Sequence, residues 1–169
     1  VFLDARVPQV KFVDRTFNCN PRRTVELLNW IQEHDNGVTN FHFEIAADIT
    51  TEEELAIMEQ MRPGLIQLEI GVQSTNPKTV EAIHRTMDLT KLAEVVSRVK
   101  GFGNIHQHLD LIAGLPYENL ESFQKSFDDV YGMQPDQLQL GFLKVLKGSG
   151  MKEDADGYEI RYHEHAPYE

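Results

Sequence analysis

Apolar and polar positions alternate with a period of two in five short stretches of this chain, and recur with a helical period in the stretches between them. Phe41 to Ala47 (FHFEIAA), Leu65 to Val72 (LIQLEIGV), Ile105 to Ala113 (IHQHLDLIA) and Gln137 to Val145 (QLQLGFLKV) read as strands, with Val10 to Val13 as a shorter one. Asn20 is placed to cap a helix that opens on Pro21, carries Val25, Leu28 and Ile31 on one stripe, and ends near His34. Thr51 to Glu54 form a capping box for a helix running to about Met61, and Asn76-Pro77 open another through Val80 and Ile83. Two further helices are expected, from Leu89 to about Lys100 and from Leu120 to Tyr131; Trp30 and Phe123 are read as helix packing residues. Strands and helices in alternation predict an α/β fold with a parallel sheet.

The strands carry a second message. His42, Glu44 and Ala46 oppose Phe41, Phe43 and Ile45, and Gln67, Glu69, Gly71 and Gln73 oppose Leu68, Ile70 and Val72. His106, His108, Asp110 and Ile112 likewise oppose Ile105, Gln107, Leu109 and Leu111. A doubly wound sheet with helices on both faces has strands that are apolar nearly throughout. One polar and one apolar face instead predict an open barrel wall, with helices outside and a polar ligand inside.

Composition narrows the partners. The 169 residues are 41% hydrophobic and 25% charged, an ordinary globular mixture of one domain or a piece of one. A net charge of −11 disfavours nucleic acid and anionic lipid, and no apolar run approaches the length of a bilayer span. Cys19 is the single cysteine, which fits a reducing compartment; a cytoplasmic location is expected, and Cys19 is given no role. Residues 151–169 are charged and aperiodic, an expected irregular tail or connection after the turn at Gly148 to Gly150. Glu52 to Glu54 read as a solvated helix start favoured by the helix dipole.

The candidate chemistry lies where strands end. Parallel α/β sheets bind small molecules beyond the carboxyl ends of their strands. Gln73, Arg85 and Asp110 offer an amide, a cation and a carboxylate there, while Gly71 and Gly114 permit close backbone approach. Burying Glu44, Glu69 and Asp110 costs several kcal/mol each unless cations, donors or ligand hydroxyls meet them. The planar fork of Arg85 is suited to a ligand carboxylate, and Gln73 and Asp110 to ribose hydroxyls or an amine.

The run Leu68 to Ser74 (LEIGVQS), followed by Asn76-Pro77 and Arg85, together with Asp110 to Pro116 (DLIAGLP), resembles the radical S-adenosylmethionine (SAM) superfamily. Within it the likeness is to the branch of anaerobic coproporphyrinogen oxidases, methylthiotransferases and cobalamin-binding radical SAM proteins. Val10 to Asn18 (VKFVDRTFN) is similar to that branch's second barrel strand, and the strand at Glu44 to its third. The resemblance implies a partial (β/α)6 barrel of TIM type over residues 1–150, comprising strands 2 to 6, with the first βα unit missing. It implies SAM contacts from Glu44, Gln73, Arg85 and Asp110, with Arg85 on the methionine carboxylate and Gln73 and Asp110 toward the ribose and amino end.

In that family a reduced [4Fe-4S] cluster on a C-x3-C-x2-C motif cleaves SAM to a 5′-deoxyadenosyl radical. No such motif occurs here. The chain is therefore expected to be a fragment, the SAM-binding portion of a full-length protein to which the cluster belongs, and to be inactive alone. Cobalamin on a separate domain is left open by the resemblance, and the substrate is not legible. Two rivals stand beside this reading: a metal-dependent barrel lyase or hydrolase using His108, Glu44 and Asp110, and a catalytically inactive binding module. An open strand edge beside Val10 to Val13 is expected to favour a non-native dimer; a clean monomer by light scattering at high concentration contradicts that expectation.

Overall fold

The computed structural model describes residues 1–163. Five parallel strands form one sheet: β1 (Gln9–Lys11), β2 (Asn40–Ile45), β3 (Ile66–Gln73), β4 (His106–Ala113) and β5 (Gln137–Phe142). The helices are α1 (Pro21–Glu33), α2 (Glu52–Glu59), α3 (Pro77–Ala82), α4 (Leu89–Phe102), α5 (Leu120–Gly132) and the short α6 (Gly150–Glu153). The strand order in space is the order in sequence, β1-β2-β3-β4-β5. A doubly wound sheet reverses direction at a switch point, where its ligand binds. Here every crossover adds the next strand on the same side, which winds the sheet in one sense as in the wall of a barrel.

The period-two reading of the strands holds. Phe41, Phe43 and Ile45 of β2, Ile66, Leu68, Ile70 and Val72 of β3, and Leu109 and Leu111 of β4 are buried in one continuous core. Leu28 and Ile31 of α1, Leu55 and Met58 of α2, and Leu92, Val95, Val96 and Val99 of α4 cover them. Phe17, in a 3-10 turn after β1, stacks on Phe43 with ring centroids 4.1 Å apart. The alternate residues form rows across the opposite face: Lys11 beside His42, then Glu44, Glu69 and His108 in one register row, and Gly71 beside Asp110 in the next.

The helix starts are where local chemistry places them. Asn20 accepts from the Arg23 amide, Asn76 from Lys78, and Thr51 and Glu54 close a reciprocal capping box. Glu54 corrects the expectation of a solvated acidic start. It is fully buried, because its carboxylate turns back to the Thr51 amide at 2.7 Å, while Glu52 reaches Arg98 at 2.6 Å.

Trp30 also departs from its expected packing role. It lies two residues past Leu28, about 200° around the helix and so on the outer side; it is 47% exposed and stacks on His34 at 4.3 Å. Phe123 does pack against the core. The end strands are shorter than the pattern predicts. β1 stops at Lys11, leaving Val13 exposed, and β5 stops at Phe142.

Past residue 150 the chain is less irregular than expected. Ser149 caps α6, Ala155 is buried, and Tyr158 packs edge-on against Tyr117 at 5.6 Å. His165 and Pro167 of the expected tail lie outside the described residues. Among the described residues no helix is long and apolar enough to cross a membrane.

Candidate functional site

A cavity of about 200 Å³ opens at the carboxyl ends of β2, β3 and β4. It is lined by Glu44, Gln73, Arg85 and Asp110, the four residues picked out in the sequence, together with Glu69, Gly71 and the loop residues Arg15 and Thr16.

The end of β3 is shaped for this. The β3–β4 register shifts between Gly71 and Gln73, and Gln73 adopts a left-handed backbone with φ 68°. That conformation costs a non-glycine residue of order 1 kcal/mol and persists only where the surroundings enforce it. Gly71 leaves the necessary space: a Cβ there would sit 2.5 Å from the Gln73 Nε2 and 3.5 Å from an Arg85 Nη. Arg85, which its spacing after β3 would place on the following helix, instead lies just past that helix's end. α3 ends at Ala82, and a turn closed by the Arg85 amide on the Val80 carbonyl swings the side chain back, so that its guanidinium donates to the Gly71 carbonyl at 2.9 Å. Beyond the bulge the chain is clamped by buried hydroxyls. Ser74 donates to Glu118 at 2.6 Å, and the Thr75 amide to Ser126 on α5 at 3.0 Å.

The electrostatics are unbalanced toward acid. Lys11 bridges Glu69 at 2.9 Å and Glu44 at 3.1 Å; the bond to Glu69 raises its ammonium above the usual lysine value despite some burial. Burial pushes the Glu69 carboxyl up, but the Lys11 bond and charge, with help from His42 and His108, leave it net below its ordinary value. Asp110 has no such partner. Burial first, then the charge and hydrogen bond of Glu69 and the charge of Glu44, push its carboxyl up to about 7, with Lys11 opposing only weakly. His108 lies 3.0 Å from Asp110, yet its Nε2 lacks hydrogen-bond geometry to any described group. Burial holds that imidazole below its ordinary value, so it is neutral near pH 7 and not the cation of an ion pair. Burial likewise lowers the Arg85 guanidinium, which remains a cation.

Two acceptors are left over. The Gln73 Oε1 and the Asp110 Oδ1 are buried without a hydrogen-bond partner among the described residues. Buried polar atoms are satisfied as a rule, so two orphans on one cavity mark where a ligand's donors belong. His106, at the exposed first position of β4, is away from this end, as the sequence suggests. Sequence reasoning did not select Lys11, Arg15 or Thr16. Lys11 was detectable, since it shares the polar face with His42. Arg15 sits in a loop, where no periodicity applies; its only sequence signal is its place just past a strand's carboxyl end.

A sheet of one winding sense with an acidic, amide-bearing cavity at the carboxyl ends of its strands defines a barrel-type small-molecule site. The sequence description "Radical SAM superfamily" matches residues 2–130, and the chain belongs to that superfamily. It is 30% identical over 115 residues to the oxygen-independent coproporphyrinogen-III oxidase-like protein HemZ of Bacillus subtilis, covering 67% of this chain and 22% of that protein. It is 30% identical over 107 residues to the oxygen-independent coproporphyrinogen III oxidase of Salmonella typhimurium, covering 60% and 23%. The chain thus spans less than a quarter of the length of these relatives.

Among solved structures, coproporphyrinogen III oxidase HemN of Escherichia coli superposes with a TM-score of 0.69 at 21% identity, over 83% of this chain and 32% of that one. The radical SAM methyltransferase TsrM of Kitasatospora setae, with tryptophan and a SAM analogue bound, gives 0.70 at 14% identity, over 83% and 28%. Both likenesses confirm the α/β fold as that of radical SAM barrels.

Proposed function

We propose that the cavity at the ends of β2, β3 and β4 binds SAM, and that the whole protein is a radical SAM enzyme of unassigned substrate. The observation that carries this is the convergence of the orphan acceptors of Gln73 and Asp110 with the partly buried cation of Arg85 on one cavity. SAM supplies the matching groups: ribose hydroxyls and an ammonium for the acceptors, and a carboxylate for a guanidinium. Its positively charged sulfonium suits a cavity edged by Glu44, Glu69 and Asp110.

Within this reading the residues bind and orient. Asp110 and Gln73 accept from the ribose and amino end, Gly71 lets the ligand lie against backbone, and Lys11 holds Glu44 and Glu69 in place through its two ion pairs. SAM bound here supplies the adenosyl group whose reductive cleavage gives the superfamily its 5′-deoxyadenosyl radical. A [4Fe-4S] cluster does not fit these residues, because its ligation takes several thiolates and Cys19 is single and exposed. The thiolates of the whole protein's cluster are accordingly assigned to residues outside these 169.

The metal-dependent lyase reading fits less well. Glu44 is held by Lys11, and among the described residues no group of three or more His, Cys, Asp or Glu side chains is placed to hold a metal ion. The whole protein, loaded anaerobically with iron and sulfide and reduced in the presence of SAM, is expected to release 5′-deoxyadenosine. A loaded, reduced protein that leaves SAM intact contradicts the proposal.

A further inference from the structure

Glu44, Glu69 and Asp110 bring three carboxyl groups to one cavity of about 200 Å³. Glu69 and Asp110 are diagonal neighbours on the same face of the sheet, since Glu69 is opposite His108 and Asp110 opposite Gly71 in the β3–β4 register. Their side chains are close enough to hydrogen-bond, and the charge of Glu44 reaches Asp110 from β2. A carboxylate carries acceptors only, so a bond between two carboxyls needs a proton on one of them.

The surrounding groups leave that proton in place. Lys11 on β1 is engaged by Glu69 at 2.9 Å and by Glu44 at 3.1 Å. Arg85, past α3, donates to the Gly71 carbonyl, with Asp48 favouring its charge through space. Arg15 lines the cavity from the loop after β1. His42 on β2 lies 2.9 Å from Glu69, and His108 on β4 lies 3.0 Å from Asp110, but neither Nε2 has hydrogen-bond geometry to a described group. His106 is at the other, exposed end of β4, and β5 sets the uncharged Gln139 opposite Asp110. The Asp110 Oδ1 stays buried without a partner.

We propose that Glu69 and Asp110 are a proton-sharing acid pair that selects a positively charged ligand over a neutral one, the bound cation displacing the shared proton. The inference rests on the SAM reading and adds to it a basis for specificity. SAM carries a sulfonium and an ammonium, and a positive charge set against the pair offsets the repulsion between two carboxylates as the proton does. On binding, the carboxyl O–H of the pair breaks, the proton leaves to solvent, and the carboxylate so formed pairs with the ligand's cation. A neutral ligand brings no charge to replace the proton, which then stays. The sign of the pH dependence follows. Below about pH 7 Asp110 holds its proton, so a cation has to displace it and binds more weakly as pH falls. Above that the pair is already ionised, and the affinity levels off.

The test compares SAM with 5′-methylthioadenosine, which keeps the adenosine half and carries neither cation. Affinities for the chain are measured by calorimetry from pH 5 to pH 8, and at pH 6 in two buffers of different ionisation enthalpy, so that the protons released on binding are counted. The preference for SAM over 5′-methylthioadenosine is expected to rise about 10-fold per pH unit between pH 5 and pH 6 and to level off above about pH 7. At pH 6 SAM is expected to release about one proton and 5′-methylthioadenosine none. Asp110→Asn is expected to abolish the release and flatten the preference. Glu69→Gln keeps Asp110 without its acidic neighbour and is expected to reduce the release at pH 6. A preference that does not change with pH, equal proton release by both ligands, or a release that persists in Asp110→Asn overturns the acid pair while leaving the SAM site standing. Failure of the wild-type chain to bind either ligand removes the SAM reading and this inference with it.

Discussion

Replacing Arg85 with methionine is expected to cut the affinity for SAM by about 100-fold or more while leaving the thermal midpoint unchanged or higher. The two effects have opposite signs because the guanidinium is poorly served in the free protein. It is partly buried, it donates to the Gly71 carbonyl, and Asp48 favours its charge only through space. Burial without a contacting carboxylate destabilises the charged form, and an unbranched apolar side chain of similar length removes that cost.

The ligand loses more than charge. Without the bond from Arg85 to the Gly71 carbonyl, the bulge that turns the Gln73 amide into the cavity loses one of the contacts that hold it. Calorimetric titration with SAM, beside a thermal melt, separates the cases. Affinity and stability falling together would make Arg85 a structural strut rather than a residue kept for binding.

How much of this was legible in the sequence varies with the physics involved. The polar rows on β2, β3 and β4 were legible, because a strand's period of two sorts residues onto faces whatever its neighbours do. Glu44, Gln73 and Asp110 were found for that reason, and Arg85 through the ordered motifs. Helix starts at Asn20, Thr51 and Asn76 were legible because capping is local.

What escaped depends on three-dimensional closure. Trp30 counts as apolar in any pattern, and only its angle on the helix shows that it faces outward. Glu54 reads as a solvated charge until the capping box is seen to draw it inward. Arg15 belongs to a loop whose position is set by Asn18 bonding to Ala46, 28 residues further along the chain.

Asp110→Asn is expected to stabilise the chain in a strictly pH-dependent way. The folded carboxyl titrates near 7, above the ordinary value of 3.8. Its contribution is therefore fully present below about pH 4, declines as pH rises through 7, and stays lost above that. Asparagine cannot ionise, so the variant and the parent should melt alike near pH 4. At pH 8 the variant should be the more stable, by on the order of 3 kcal/mol.

The cause can be probed from each side. Glu69 lies on β3, Glu44 on β2, Lys11 on β1 and the neutral His108 on β4. Glu69→Gln should bring the Asp110 titration down, and carbon-detected NMR of the carboxyl reads it directly. Asp110→Asn should bind SAM more weakly at pH 8, where the parent presents a charged carboxylate to the ligand. Equal melting of parent and Asp110→Asn at both pH values would show that Asp110 is ionised like any surface acid.

The central claim is that SAM binds at the carboxyl ends of β2, β3 and β4, and an amide NMR spectrum of the chain recorded with increasing SAM tests it most directly. The predicted result is saturable shifts concentrated at Ala46, Gly71, Gln73, Arg85 and Asp110, with the outer helical residues around Trp30 and His34 unmoved. Shifts gathered away from that cavity, or none at millimolar SAM, would contradict the account.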